Sequence, residues 1–283
     1  MNHSSKIINQ KNIPSEGLRV IFDHFYRGRK KVLGKIIFEL LPGQIIGVVG
    51  VNGAGKTTLL DGMLESRGKN SQISLIYEGV NISSYGESKK AKIISHLGSS
   101  DLSKPRVSVD TFIRFALEKY RAVDCSLGEV EVAVEYWGLS AYRRSLVSEL
   151  SEGEFQRVLL ATAFLQEAKF YILDEPERHL DPVGTLMLEI IFSKKAALGK
   201  GVLFATHDIN LALSVSTHLL GIDKNGEVVF YYPAARICEE RLLDLLYGVS
   251  FDYINRTSGK FIVCRSESSI SIPSGIRSGE QVE

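Results

Sequence analysis

Short segments near the N-terminus alternate hydrophobic and polar residues, which is the pattern of half-buried strands. The pattern occurs in LRVIFDHF (18–25), KIIFELL (35–41) and SQISLIYEGVNI (71–82), and the last of these predicts a strand followed by a turn. The continuous apolar run IIGVV (45–49) predicts a further strand. The first part of the chain is therefore expected to be rich in strands.

The period of the hydrophobic pattern changes in the middle of the chain. The segments VDTFIRFALEKYRAV (109–123), EVEVAVEYWGL (129–139) and RRSLVSEL (143–150) carry apolar residues at helical spacing. They interrupt the alternation that is typical of strands on either side. The sequence thus predicts an inserted helical subdomain over about residues 100–157.

The C-terminal half returns to strands. KFYILDEP (169–176), GVLFATHD (201–208) and HLLGIDKNGEVVFYY (218–232) are apolar strand candidates, and the helical segment PVGTLMLEIIFSKKAAL (182–198) separates the first two. Strands linked by helices favour a parallel sheet in an α/β fold of the doubly wound, nucleotide-binding kind.

Composition adds limits to this picture. The chain has 283 residues, 44% of them hydrophobic and 24% charged, which is ordinary for a globular protein with one nucleotide-binding domain. The polar segments 1–17 and 265–283 are expected to be flexible, so that the domain spans residues 18–264. A net charge of +1 gives no field for wrapping nucleic acid, so no nucleic-acid partner is expected.

Cysteine usage and hydropathy indicate the compartment. The three cysteines, Cys125, Cys238 and Cys264, lie far apart without the spacing of a metal or redox motif, so we expect unpaired thiols. No apolar run approaches the roughly 18 residues of a membrane span, and the polar N-terminus lacks a signal-peptide core. The sequence alone therefore predicts a soluble, cytoplasmic protein.

The stretch GVNGAGKTTLL (50–60) fits the phosphate-loop motif G-x-x-x-x-G-K-[ST] between a predicted strand and a predicted helix. Backbone N–H groups of such a loop and the positive end of the helix bind phosphate. Lys56 would supply charge to the β- and γ-phosphates, and Thr57 a hydroxyl to Mg²⁺. The expected cradle consists of Gly50, Asn52, Gly53, Ala54, Gly55, Lys56 and Thr57. The loop alone does not separate kinases, GTPases, helicases and transporter motors.

Acidic residues and a histidine follow two strands of the predicted sheet. Asp174, after FYIL, is expected in the Mg²⁺ shell, and the adjacent Glu175 is expected to act as general base. His207, in ATHD, would reach the γ-phosphate. The alternatives are a solvated turn for the two acids and a structural role for the histidine.

The stretch LSEGEFQRVLLATAF (150–164) predicts a second anion site, at which Ser151 and the Gly153 N–H meet a phosphate at a helix N-terminus. An ordinary capped helix is the alternative. With the order Lys56, Ser151, Asp174, Glu175 and His207, the chain here resembles the ATP-binding subunits of ABC transporters. Their signature reads Leu-Ser-Gly-Gly-Gln or Glu.

This resemblance, which spans residues 18–264, implies an α/β P-loop NTPase (RecA-like) core with an N-terminal antiparallel β subdomain and an inserted α-helical subdomain. It also implies a head-to-tail dimer in which Ser151 and Gly153 grip ATP bound to the other subunit. Asp181 would lie in the D-loop at that interface, and Thr58 would contact the α-phosphate. Tyr26 is the candidate for stacking on adenine. Phe25 and ordinary strand packing are the alternatives.

Three positions depart from the family pattern. Glu152 replaces the first glycine of the signature, and Glu177 follows Pro176 where threonine is commoner. Ser99 stands where the family has its Q-loop glutamine, because ISHLGSSDLSKPRVSV (94–109) aligns without gaps to the family's strand, loop and proline-containing approach to the helical insertion. The chain has no glutamine between Gln72 and Gln156. Ser99 is therefore the weakest of the expected metal contacts.

The C-terminal stretch LLDLLYGVSFDYINRTSGKFIVC (242–264) is similar to ATPases that serve importers of iron-siderophore complexes, haem and cobalamin. The resemblance implies an ATP-hydrolysing motor with Mg²⁺ as cofactor and a second copy of itself or a homologous ATPase as partner. It implies a membrane permease, and indirectly a substrate-binding protein, as further partners. Such a subunit would lie peripherally on the inner face of the membrane. The alternative is a soluble ABC-type ATP-gated clamp, regulatory or DNA-associated, without a permease.

Overall fold

The computed structural model describes residues 16–27, 30–64, 72–98, 104–120, 127–256 and 259–264. The extension expected over residues 1–17 lies outside this part of the chain except for Glu16 and Gly17, and so does the tail expected over residues 265–283. The domain boundaries stay predictions.

Strands and helices follow each other in the order expected for an α/β chain. The strands are β1 (Leu18–Arg27), β2 (Lys30–Leu33), β3 (Ile36–Leu40), β4 (Ile45–Val49), β5 (Gln72–Tyr77), β6 (Val80–Asn81), β7 (Ile94–Leu97), β8 (Phe170–Asp174), β9 (Gly201–Ala205), β10 (His218–Ile222), β11 (Val228–Pro233), β12 (Phe251–Arg256) and β13 (Gly259–Cys264). The helices are α1 (Lys56–Leu64), α2 (Glu87–Ala91), α3 (Val109–Tyr120), α4 (Leu127–Tyr136), α5 (Glu152–Leu165), α6 (Pro182–Ala197), α7 (Ile209–Val215), α8 (Ala234–Ile237) and α9 (Leu242–Tyr247).

Two sheets form the body of the molecule. The first is antiparallel, with β1 pairing β2, β3 and β5, and with β6 at the edge of β5. The second has the order β11-β10-β4-β9-β8-β7, parallel throughout except for the antiparallel pair of β10 and β11. The segment 218–232, expected to be strand, folds as a hairpin because a turn at residues 223–227 divides it. These sheets confirm the predicted parallel core and antiparallel subdomain.

Each central strand of the parallel sheet is buried on both faces, which explains its continuous apolar sequence. In β4, Ile46 and Val48 pack with Phe22 and Phe38 of the antiparallel sheet. Residues Ile45 and Val49 belong to the opposite core, which includes α5, α6 and the helical insertion. The alternation of side chains along one strand thus joins the two layers.

The helical insertion lies between β7 and β8 and contains α3, α4 and α5. The prediction of a helix over residues 143–150 is wrong: only Val147–Glu149 form a single 3₁₀ turn. The Val147 N–H donates to Val107 O at 2.9 Å, and the Val109 N–H donates to Ser145 O at 3.1 Å. Pairing with the segment that leads into α3 uses the backbone groups that a helix would need.

Within the part of the chain that the structure describes, none of the helices is both long enough and apolar enough to cross a bilayer.

A candidate nucleotide site

The phosphate loop connects the carboxyl end of β4 to the start of α1, as the motif predicts. Gly55 has φ +99°, and a Cβ at this position would lie 2.6 Å from Cδ2 of Leu33. Only glycine fits this combination of left-handed backbone and close packing. The Gly55 carbonyl then accepts the Leu59 N–H at 2.8 Å, so that the loop passes directly into the helix.

A cleft of about 650 Å³ opens at this loop. Its size is within the usual range of small-molecule sites, about 300–1,000 Å³. Most of the residues expected to contact the nucleotide line it, together with three side chains of the β1–β2 hairpin. The lining consists of Arg27, Lys30, Val32, Asn52, Gly53, Ala54, Gly55, Lys56, Thr57, Thr58 and His207.

Tyr26, the residue expected to stack on adenine, is not among these lining residues; its neighbour Arg27 is. Tyr26 makes an edge-on contact with His24, with ring centroids 5.4 Å apart. Phe25, the alternative, packs on Phe22 at 6.3 Å and belongs to the core beneath the sheet. Sequence reasoning missed Arg27, Lys30 and Val32, which lie between the strands predicted over residues 18–25 and 35–41.

Lys56 is 5% exposed and lies over the loop. Its ammonium group donates to the Gly50 carbonyl at 2.8 Å and to the Val51 carbonyl at 3.4 Å. Burial lowers the pKa of Lys56, whereas the carboxylates of Glu175 and Asp174 oppose that effect. A buried cation with two acidic neighbours is thus positioned beside the cleft.

His207 connects Lys56 to Glu175. The Nε2 atom of His207 lies 2.9 Å from Oε1 of Glu175, and its Nδ1 lies 3.4 Å from the ammonium nitrogen of Lys56. An imidazole with its proton on Nε2 satisfies both contacts, because Nε2–H donates to the carboxylate while Nδ1 accepts from the ammonium. The three expected catalytic residues therefore form one continuous chain of contacts.

The loops after β8 and β9 hold this chain in place. Glu175 has φ +45°, an uncommon conformation outside glycine, and its N–H donates to Ala205 O at 2.9 Å. The backbone of the candidate base is thereby tied to the end of the strand that leads to His207. The geometry of the pair is set by the backbone as well as by the side chains.

A second contact between these loops was not predicted. The Thr206 hydroxyl donates to Oε1 of Glu177 and accepts the Asp208 N–H at 2.9 Å. Burial raises the pKa of Glu177, while the bond from Thr206 opposes the shift. The sequence marked Glu177 as a departure, but it gave no sign of its partner 29 residues away.

The residues expected at the metal suit Mg²⁺ by their chemistry. Thr57 and Asp174 offer a hydroxyl and a carboxylate, and Mg²⁺ prefers oxygen donors from one or two carboxylates, phosphates and water. Among the described residues, no group of three or more His, Cys, Asp and Glu side chains could hold a metal alone. A hydroxyl and a carboxylate fit an ion whose other ligands are phosphate oxygens and water. Ser99 lies outside the described residues.

Ser151 caps α5 through a capping box. Its Oγ accepts the Glu154 N–H at 3.3 Å and donates to Oε2 of Glu154 at 2.8 Å, and its N–H donates to the same Oε2 at 2.8 Å. The hydrogen bond from Tyr142 is the largest influence that lowers the pKa of Glu154, and the hydrogen bonds from Ser151 add to it. The glutamate of the signature therefore fixes the serine at the start of the helix.

Glu152, which replaces a signature glycine, is paired. Its Oε1 lies 2.6 Å from the ammonium of Lys104, which also donates to the Leu150 carbonyl at 2.8 Å. Lys104 lies in the segment between β7 and α3 and was not singled out from the sequence. The sequence marked Glu152 as a departure from the family pattern, but it gave no sign of a partner 48 positions away.

Gly153 lies against the D-loop, since a Cβ there would be 2.7 Å from the His179 carbonyl oxygen. Asp181 caps α6, where its Oδ1 accepts the Gly184 N–H at 2.7 Å and its Oδ2 lies 3.3 Å from Arg157 of α5. The signature helix and the D-loop are therefore in direct contact. Neither Ser151, Gly153 nor Asp181 lines the cleft.

The C-terminal stretch contacts the start of the phosphate loop and α7, the helix that follows His207. The Tyr247 hydroxyl oxygen accepts the Gly50 N–H, and burial raises the pKa of Tyr247 to about 12. Asn210, in α7, accepts the Ile262 N–H at 2.9 Å and donates to the Ile262 carbonyl at 3.4 Å. The stretch ends in a hairpin formed by β12 and β13.

The sequence of the chain is similar to those of known proteins. The family profile described as ABC transporter matches residues 33–178, more than half of the chain. A hemin import ATP-binding protein of Bordetella avium is 30% identical over 256 residues, which cover 84% of this chain and 95% of the relative. A petrobactin import ATP-binding protein of Bacillus subtilis is 27% identical over 227 residues, which cover 79% of this chain and 89% of the relative.

Length and fold complete the comparison. A Bacillus cereus relative, 29% identical over 208 residues, is much longer, and the chain covers 36% of it. A solved structure of an ATP binding subunit of an ABC transporter shares the fold with a TM-score of 0.71 at 23% identity, covering 82% of this chain and 98% of that one. The expected fold class is confirmed, and the chain belongs to the ABC transporter family.

Proposed function

We propose that the chain is the ATP-hydrolysing motor subunit of an ABC importer for iron-siderophore, haem or cobalamin-type cargo. The observation that carries this proposal is the chain of contacts from Lys56 through His207 to Glu175 beside the phosphate loop. The names of the petrobactin and hemin import relatives support the importer and its class of cargo.

Nucleotide binding is assigned to the cleft. Backbone N–H groups of the loop after Gly50, as far as Lys56, receive the phosphates, Lys56 supplies positive charge, and Thr58 is assigned to the α-phosphate. Thr57 and Asp174 would hold Mg²⁺, which when bound neutralises charge on the phosphate oxygens. On the adenine side, Tyr26 remains a candidate, with Arg27 of the cleft wall as a second one.

Hydrolysis is assigned to Glu175 and His207. Glu175 accepts a proton from the attacking water, and its contact with His207 Nε2 fixes the orientation of the carboxylate. The imidazole, which accepts from Lys56 at Nδ1 and lines the cleft, is assigned to the γ-phosphate. This division leaves Glu175 as the group that moves a proton.

The partners are proposed from the second anion site, at the N-terminus of α5. Ser151, Gly153 and Asp181 are assigned to ATP held by a second copy of the chain or a homologous ATPase in a head-to-tail dimer. Closure of this dimer would change the conformation of a membrane permease at its cytoplasmic face. A substrate-binding protein would deliver cargo to the permease and contact this chain only through it. Nucleic acid has no part in this function.

The central experiment is Glu175→Gln, measured with the intact chain. Turnover is expected to fall by about 10²- to 10⁴-fold because the base is lost while shape and Mg²⁺ ligands remain. ATP binding should persist, and an ATP-dependent dimer should accumulate in sedimentation or size-exclusion experiments. The matched control is Glu118→Gln in α3, an exposed glutamate, which should behave like the parent. Unchanged turnover in Glu175→Gln contradicts the assignment.

The permease partner needs its own experiment. The chain expressed in its host should co-purify from membranes with an integral-membrane protein, and ATPase rate should change when cargo-loaded binding protein is added. A chain that is an ATP-dependent dimer but is never recovered with membranes would favour the soluble clamp instead.

A further inference from the structure

Glu152 presents a problem for phosphate binding at the second anion site, the N-terminus of α5. Its carboxylate belongs to the first turn of α5, where backbone N–H groups favour an anion, and its side chain is 63% exposed. A carboxylate at this place stabilises the helix but repels a phosphate that approaches the same turn. Glycine, the usual residue of the family signature, carries no such charge.

Lys104 answers this problem by its position. Its ammonium lies 2.6 Å from Oε1 of Glu152 and donates to the Leu150 carbonyl at 2.8 Å. The side chain of Lys104 is 19% exposed, and its ammonium lies 5.4 Å from the centre of the Phe155 ring. A lysine held by a carbonyl, a ring and a carboxylate is less free than an ordinary surface lysine.

The charge on Glu152 is balanced mainly by this contact. The hydrogen bond from Lys104 is the largest of the influences that hold the pKa of Glu152 below its usual range, and the D-loop residues His179 and Arg178 contribute less. The carboxylate is thus ionised and drawn towards the segment that leads into the helical insertion. Ser151 is held by Glu154, whereas the backbone N–H groups of Glu152 and Gly153, which have no partner within the helix, stay available for another anion.

We propose that Lys104 is a positioning residue that neutralises Glu152 and holds it aside, so that the N-terminus of α5 accepts the terminal phosphate of ATP bound to a second copy of the chain. This inference rests on the proposed function, because it takes the head-to-tail dimer as given. It adds a residue from outside the signature and explains how the signature tolerates an acidic residue.

The experiment measures the ATP-dependent dimer in the Glu175→Gln background with ATP and Mg²⁺. Lys104→Met should weaken dimerisation by about 5- to 30-fold, since it leaves a like charge beside the incoming phosphate. Adding Glu152→Gln to Lys104→Met should restore dimerisation to within about twofold, because the repelling charge is then gone. Affinity of the monomer for ATP should stay at the parental value in both variants.

Two further measurements separate charge from structure. Lys104→Gln keeps a donor for the Leu150 carbonyl and should show the same loss as Lys104→Met. The deficit should shrink as salt rises, because the Debye length falls from about 10 Å at 0.1 M to about 3 Å at 1 M. Lys92→Met removes an exposed lysine at the end of α2 and should have no effect.

The outcomes distinguish this inference from the function beneath it. Parental dimerisation of both Lys104 variants overturns the inference alone. So does a double variant that stays as weak as Lys104→Met, since Lys104 would then act only through the Leu150 carbonyl. If the Glu175→Gln chain itself forms no dimer with ATP, the proposed function fails and takes the inference with it.

Discussion

Two charged residues at the nucleotide site, Lys56 in the phosphate loop and Asp174 at the end of β8, are buried, whereas the charged residues at the N-terminus of α5 lie near solvent. Lys56 is 5% and Asp174 3% exposed, and the contacts of Lys56 come from the same chain. At α5, Ser151 is exposed and the Glu152 side chain is 63% exposed. Buried charges depend on contacts within the chain, while exposed ones are balanced in pairs that a partner can rearrange. Substitutions at the two ends should therefore affect different steps.

Between these two ends, the largest difference is expected from Lys56→Ala. Loss of this buried cation should weaken MgATP binding and lower turnover by about 10²- to 10³-fold, because the charge neutralises the phosphates directly. Titration with a fluorescent ATP analogue and steady-state ATPase rates would measure it. Lys200→Ala, at the turn before β9, is the matched control. A Lys56 variant with parental affinity would remove the difference between the two ends.

Ser151→Arg should have the opposite profile. The isolated subunit should bind ATP with parental affinity, while the ATP-dependent dimer weakens by about 10- to 100-fold because bulk and charge replace a small hydroxyl at the interface. Mixing this variant with Lys56→Ala could leave one complete site in each heterodimer, and some ATPase activity should return. If monomer affinity for ATP falls instead, Ser151 belongs to the site of its own chain.

Glu177→Gln sharpens the comparison on the buried side through stability. The folded state raises the pKa of Glu177, so its contribution is fully present below the unfolded pKa and is lost as pH rises through the folded pKa. The glutamine variant keeps a partner for Thr206 but does not ionise. Its free energy of unfolding should match that of the parent near pH 4.5 and exceed it at pH 8 by on the order of 1 kcal/mol.

Denaturant unfolding at several pH values would test this expectation, with Glu118→Gln as the control. A stability difference that is constant with pH would mean that Glu177 does not titrate in the range examined. If the free energy of unfolding of the glutamine variant falls relative to that of the parent as pH rises, the sign of the difference is reversed and the pKa of Glu177 is not raised by burial.

The smallest effect concerns the adenine side of the cleft. Arg27→Ala should weaken ATP binding by about 3- to 10-fold, as expected for one cation–π or stacking contact at an exposed site. Tyr26→Ala should have less effect if its ring stays against His24. Comparing ATP with GTP for both variants would show which of the two side chains contacts the base. A larger loss in Tyr26→Ala would restore the prediction from the sequence.

How far the sequence predicts the site depends on how local each contact is. The phosphate loop, with β4 before it and α1 after it, is predicted from the sequence because the residues of its motif are consecutive and glycines at this spacing rarely occur between a strand and a helix for another reason. The contact of Lys104 with Glu152 joins residues 48 positions apart and depends on packing, so no local pattern indicates it. Between these extremes, Glu175 and His207 were placed by the general rule that functional residues follow parallel strands.

The expectation for Tyr26 depends on the flat apolar face of its ring and on the resemblance to the family, neither of which shows which residue of β1 lies at the cleft. The register of β1 against β2 shifts between Phe25 and Tyr26. Such a shift depends on pairing with another strand, so no local pattern around residue 26 indicates which side chain lines the cleft. The helix expected over residues 143–150 was wrong for a related reason, since long-range backbone pairing overrides local spacing.

The contact of Tyr247 with Gly50 has a consequence for how the protein is made. The strand that carries the phosphate loop, β4, pairs with β9 and β10, which lie more than 150 residues later in the chain. Contacts this distant in sequence form slowly, because a long loop must close first. During synthesis, the loop therefore emerges from the ribosome well before the strands and the tyrosine that hold it. A ribosome stalled before residue 201 would carry the whole motif in a nascent chain that cannot yet bind ATP.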